Sequence, residues 1–179
     1  MSKNLLGPVC SSALAILLLT TGANAQSAAS AVRDFGLLGT WAIDCKDLPS
    51  PQNEHSIFAI AGTDTVRLRN DFGRDYDEMV YRIVSAKPIA ADRMAIRQIL
   101  MNDTRIVLDT VMLKNDDRVR VWSSHGLDGT ALVSDGTIPS TNGQETRWAT
   151  RCQGQWTGDA GSVTDINFGP ANGAVDKLK

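Results

Sequence analysis

The chain has 179 residues and 42% hydrophobic content, with 18 lysines and arginines against 20 aspartates and glutamates, a net charge of −2. So mild a balance, with both signs interspersed, lacks the basic stripe that marks a nucleic-acid or anionic-membrane surface. The length suits one domain with one core.

Residues 1–25 read as a signal peptide. Lys3 is its only charge, an apolar run from Ala13 to Leu19 follows, and Ala23-Asn24-Ala25 supplies a small-x-small cleavage site before Gln26. The run is too short for the ~20 residues of a membrane-spanning helix. Cys10 precedes the run, so it is not placed to become an acylated N-terminus. The expected mature chain is periplasmic or secreted, without a transmembrane anchor. Losing Lys3 and no acid moves its net charge from −2 to −3.

Export sets the cysteine chemistry. Of three cysteines, Cys10 leaves with the signal peptide, and Cys45 and Cys152 remain as a pair in an oxidising compartment. They are expected to form a disulfide. Closing a loop of ~100 residues is worth about 4.7 kcal/mol by chain entropy.

Residues 26–36 read as a flexible lead-in or a short helical turn, with Val32, Phe35 and Leu38 spaced to plug an opening. The stretch Gly39-Thr40-Trp41-Ala42-Ile43-Asp44-Cys45 then reads as the first strand. Alternation puts Trp41, Ile43 and Cys45 on one face and Thr40, Ala42 and Asp44 on the other. Pro49 and Pro51 make the next segment a loop. Short extended runs follow, separated by turns. They are Ser56–Ala61, Thr65–Arg69, Glu78–Lys87 with Met79, Tyr81 and Ile83 on one face, Arg93–Met101, Thr104–Leu113, Arg118–Ser124, Ala131–Val133 and Thr146–Cys152. Pro88 is expected to stop its run, and Arg93–Met101 has a helix as its rival reading. The Gly- and Asp-rich residues 154–179 read as a mobile tail.

Eight or nine strands in this spacing predict an all-β domain over residues 37–153, either barrel or sandwich. A link between the first and last strands favours a single antiparallel barrel of about eight strands, closed so that no long edge is exposed.

Gly39-Thr40-Trp41 resembles the Gly-x-Trp signature at the head of lipocalin-like (calycin) barrels. That resemblance implies a basic residue from the last strand packed over the tryptophan, Arg147 or Arg151 here. The C-terminal helix that lipocalins carry is not evident. A wider frame is similar to a group of small uncharacterised exported proteins of alpha-proteobacteria. It runs through Trp41 to Cys45, Asp117 to Trp122, Asp128-Gly129, Asp135-Gly136 and Thr146 to Cys152. It implies a fold and a compartment and transfers no catalytic residue.

Three clusters carry residue types that could do chemistry. Two histidines, His55 and His125, lack metal-ligand spacing. Ser123-Ser124-His125 with Asp128 has no nucleophile elbow, and neighbouring strand residues diverge. The acids Asp71, Asp75, Asp77 and Glu78 miss the calcium-loop pattern, with Gly73 too early. The expectation is a non-enzymatic, monomeric protein without metal or cofactor. Its interior, lined by Trp41, Ile43, Met79, Tyr81, Val119 and Val121, would hold a small apolar or anionic molecule or an envelope component. Arg118 and Arg120 are the candidate anion contacts, with Trp122 between cations if their face turns inward and on a surface patch if outward. The alternative is a protein–protein module or inhibitor of the cell envelope, recognisable by a filled interior and an exposed aromatic patch.

Overall fold

A computed structural model describes residues 26–153; the expected signal peptide and C-terminal tail lie outside the described residues. The elements are α1 (Ala28–Phe35), β1 (Gly39–Ala42), β2 (His55–Ala61), β3 (Thr65–Asp71), β4 (Met79–Ala90), β5 (Arg93–Leu100), β6 (Val107–Asn115), β7 (Arg118–Gly126), β8 (Ala131–Val133), β9 (Thr137–Ile138), β10 (Gln144–Glu145) and β11 (Ala149–Arg151). No helix among the described residues is long and apolar enough to cross a membrane.

Strands β1 to β7 pair in sequence order, all antiparallel, and β11 pairs with both β1 and β7. This closes an eight-stranded barrel. The closing registers are Trp41 opposite Arg151 and Ala149 opposite Val119. Strand β8 extends the sheet from β7, and β9 and β10 form a separate hairpin. Cys45 and Cys152 are bonded, with sulfurs 2.07 Å and Cα atoms 5.3 Å apart, just beyond the ends of β1 and β11. The Cys152 N–H also donates to the Thr40 carbonyl at 2.9 Å.

Alternation explains the core. Phe58, Val66, Leu68, Tyr81, Ile83, Met94, Ile96, Leu100, Met112 and Val119 occupy the interior around Trp41, which is 1% exposed. Arg93–Leu100 is a strand, its inward side chains being Met94, Ile96, Gln98 and Leu100. Pro88 does not stop β4, which runs on to Ala90 with Pro88 opposite Met94. Beyond Ile83 this strand pairs with β5 alone, so Pro88 lies on an edge, next to a register shift between Pro88 and Ala90, the two settings in which a strand tolerates proline. The last barrel strand is shorter than the expected Thr146–Cys152; Thr146 instead donates its N–H to Gly136 O at 2.8 Å, and regular pairing begins at Ala149.

The segment before β1 is an eight-residue helix. Ser27 caps its start, accepting from Ser30 N–H at 3.2 Å, and Gly36, with φ of 79°, ends it in the left-handed conformation. Its Ala29, Val32 and Phe35 join the barrel core and close one end. Its last carbonyls would otherwise be unsatisfied. Lys114 Nζ donates to Phe35 O at 2.7 Å, Arg151 Nη2 to Gly36 O, and Trp41 Nε1 to Leu37 O at 2.7 Å.

Candidate functional site

The expected cavity residues separate into two groups. Trp41, Tyr81 and Val119 are buried inside the barrel, and Val121 packs against the same core half-buried. Ile43 is 39% exposed, because β1 ends at Ala42 and the chain bends out before Cys45. Met79 is 42% exposed at the barrel end opposite α1, where its sulfur accepts from Tyr81 Oη at 3.3 Å. Ile43 therefore stands outside the interior, and Met79 stands at its mouth on the same face as Tyr81. Core side chains occupy that interior, and α1 closes one end of it.

Near Tyr81 the end opposite α1 carries a carboxylate. Burial raises the Glu54 pKa above its usual value, opposed by the hydrogen bond from Ser56 Oγ at 3.0 Å and by the Arg147 charge. Burial also raises Tyr81, and the Glu54 charge raises it further.

Arg118 and Arg120 point outward, since Val119 between them points in. On the outer face Trp148, next to Ala149 in the β7–β11 register, and Trp122 flank them. The Arg93 guanidinium lies 4.8 Å from the Trp122 ring centroid, and Arg120 lies 5.4 Å from Trp122 and 4.8 Å from Trp148. Arg118 completes the row 5.3 Å from Trp148. The result is an alternating ladder, Arg93–Trp122–Arg120–Trp148–Arg118. Each cation–π contact is worth roughly 0.5–2 kcal/mol, more when desolvated.

The segment after β8 folds against this ladder. Gly136 N–H donates to Trp122 O at 2.6 Å, and Thr146 Oγ1 donates to Val121 O at 2.7 Å. A Cβ at Gly136 would lie 3.2 Å from Arg120 Cζ and 3.3 Å from Trp122 Cε3, and its φ of 76° also requires glycine. Arg120 keeps only 14% of its side chain exposed. Its one ion pair among the described residues is Glu145 at 3.4 Å, a carboxylate 79% exposed. Arg93 and Arg118 form no ion pair with a described residue. The ladder therefore presents three cations against one loosely held carboxylate.

The other arginines sit differently. Arg97 is held by Asp109 through two hydrogen bonds of 2.7 Å, and Arg69 pairs with Glu78 at 3.1 Å. Arg67 and Arg82 face each other across β3 and β4.

The remaining clusters do not converge on chemistry. Ser124 Oγ faces in and bonds Thr110 Oγ1 at 3.1 Å, while Asp128 caps its own turn through Thr130 N–H at 2.9 Å. Asp71 Oδ1 likewise accepts from Gly73 N–H at 2.9 Å within its turn. His55 is buried against Asn53 and the Asp47 carbonyl, each at 3.2 Å.

Arg93 and Trp148 lie outside the anion contacts expected from the sequence, Arg118 and Arg120. The Arg118-Val119-Arg120-Val121-Trp122 alternation signals half of the ladder, but the other half depends on β5 and β11 lying beside β7. No protein-family model, curated protein or solved structure matches this chain.

Proposed function

We propose that this is a non-enzymatic, exported binding protein that recognises an anionic component of the cell envelope with the outside of its barrel. One observation carries the reading. The ladder sets three guanidinium groups side by side on the outer face with Glu145 as their one ion-pair partner among the described residues, while the inward faces of the strands form an apolar core. Guanidinium groups bind phosphate and carboxylate bidentately, and stacking on indoles holds them in place before a ligand arrives. Arg118 and Arg120 keep their proposed role as anion contacts, from the outer face. The disulfide and the leader-like first residues support an oxidising compartment. A lipocalin-like kinship is part of the same proposal. Its support is Gly39-Thr40-Trp41 at the head of the barrel, with Arg151 4.7 Å from the Trp41 ring.

The test is binding of the mature protein to phosphatidylglycerol vesicles and, separately, to inorganic phosphate. Arg118→Ala with Arg120→Ala removes two charge-assisted contacts of about 1.5–3 kcal/mol each, so affinity falls at least about a hundredfold. Binding to the vesicles alone identifies a lipid surface, and binding to both identifies a phosphate group. Equal binding by the double variant contradicts the proposal.

A second reading, a protein–protein module or envelope inhibitor, has its own support. Apolar residues stand exposed on an ordered loop, with Leu48 at 85% and Ile43 at 39%.

A further inference from the structure

The segment between β1 and β2 combines an apolar tip with a dense frame of hydrogen bonds. Its ends meet where Asp44 N–H donates to Asn53 Oδ1 at 2.9 Å, the arrangement of an Ω-loop. From beneath, Asn53 Nδ2 reaches the carbonyls of Asp44, Asp47 and Leu48 at 2.9, 3.3 and 3.4 Å. Asn53 itself is only 8% exposed. Ser50 and Asn53 exchange two backbone hydrogen bonds of 2.9 and 3.2 Å. From outside, Arg147 donates to Gln52 O at 2.5 Å and to Pro51 O at 3.4 Å.

Two further restraints complete the frame. The disulfide ties Cys45 to Cys152. The β3–β4 turn presses so closely that a Cβ at Gly73 would lie 2.4 Å from Pro49 O. Isolated exposed leucines are ordinary on protein surfaces. Here, however, seven carbonyls of the loop lie within hydrogen-bond reach of a donor while Leu48 is kept 85% in water, the largest value among the exposed large hydrophobics of the described residues. Beside it is an open cleft of about 600 Å³ lined by Ile43, Lys46, Asp47, Leu48 and Gln52 among others.

Chain chemistry narrows what such a loop fits. Pro49 restricts Leu48 to the extended region, the conformation in which endopeptidase clefts take a substrate chain. The bond after Leu48 is a tertiary amide without N–H, lacking the donor of an ordinary cleavable peptide. Ordering entropy has already been spent in folding, so little is lost on docking.

We propose that the Leu48 loop is a substrate-like docking loop for an endopeptidase whose specificity pocket accepts leucine. The bound loop occupies the cleft and is not turned over. This rests on the second reading above and is independent of the arginine–tryptophan ladder.

The test uses chymotrypsin and subtilisin as probes, with the disulfide-intact mature protein. The wild type slows at least one probe stoichiometrically and its intact mass is unchanged. Leu48→Asp, at an exposed position that leaves the fold alone, weakens inhibition at least 100-fold. Arg118→Ala with Arg120→Ala inhibits as well as the wild type, which separates this surface from the anion site. No slowing of either probe, equal inhibition by Leu48→Asp, or rapid cleavage at the loop overturns the proposal. Persistence of anion binding in Leu48→Asp would then leave the ladder reading standing alone.

Discussion

The Arg151 guanidinium lies 4.7 Å from the centre of the Trp41 ring and donates to the Gly36 carbonyl, so one side chain joins β11, β1 and the end of α1. Trp41 makes the matching bond from inside, its Nε1 donating to Leu37 O at 2.7 Å. With Lys114 on Phe35 O, three donors from three strands hold the helix that closes the barrel. Cations also interact favourably with a helix C-terminus.

Trp41→Phe keeps most of the ring and removes the indole N–H. It leaves the Leu37 carbonyl without its buried donor, at a cost of about 1–3 kcal/mol. Urea unfolding is expected to show that loss. Hydrogen exchange is expected to quicken first in residues 28–37, ahead of the β4–β5 hairpin.

Removing the disulfide with Cys45→Ser and Cys152→Ser is expected to cost about 2–5 kcal/mol. The bond spans 107 residues and sits where β1 meets β11. The variant should keep β-sheet circular dichroism while its thermal midpoint falls, and the wild type under reductant should follow the same curve.

Glu54 gives a pH signature. Its folded pKa is raised above the ordinary 4.5 because burial penalises the charged form. The folded state therefore binds its proton more tightly than the unfolded chain does. Its stabilising contribution is fully present below the unfolded pKa and is lost as pH rises through the folded value. Glu54→Gln removes this loss. Its melting temperature should exceed the wild type's at pH 7 and converge with it toward pH 4.

Gly73→Ala places a methyl 2.4 Å from Pro49 O, at a φ of 94° that disfavours any side chain. A destabilisation of about 1–3 kcal/mol is expected. Cleavage by an unrelated protease should rise within residues 43–53 specifically.

Much of the architecture was legible because it is written in local alternation. Trp41, Tyr81, Ile83 and Val119 declare their inward face by period-two spacing, and turn residues mark where each strand ends. Ile43 misled for a physical reason: alternation identifies a face only while the strand continues, and β1 ends one residue earlier. Pro88 misled because β4 beyond Ile83 is an edge paired with β5 alone, with a register shift beside the proline. The ladder was half legible. Arg118, Arg120 and Trp122 share parity, but Arg93 and Trp148 join them through pairings between strands far apart in sequence, and register is not readable from either strand alone. The Asn53 network was invisible, since side-chain bonds to loop carbonyls leave no periodic trace.

The most direct test of binding on the outside of the barrel is a nuclear magnetic resonance titration of the nitrogen-15-labelled mature protein with inorganic phosphate and then with phosphatidylglycerol nanodiscs. The account predicts that the indole signals of Trp122 and Trp148 and the Arg93, Arg118 and Arg120 Nε signals shift together, while the Trp41 indole, bonded to Leu37 inside the plug, stays still. Shifts confined to Trp41 and the core around Tyr81 would place the ligand inside the barrel and contradict it.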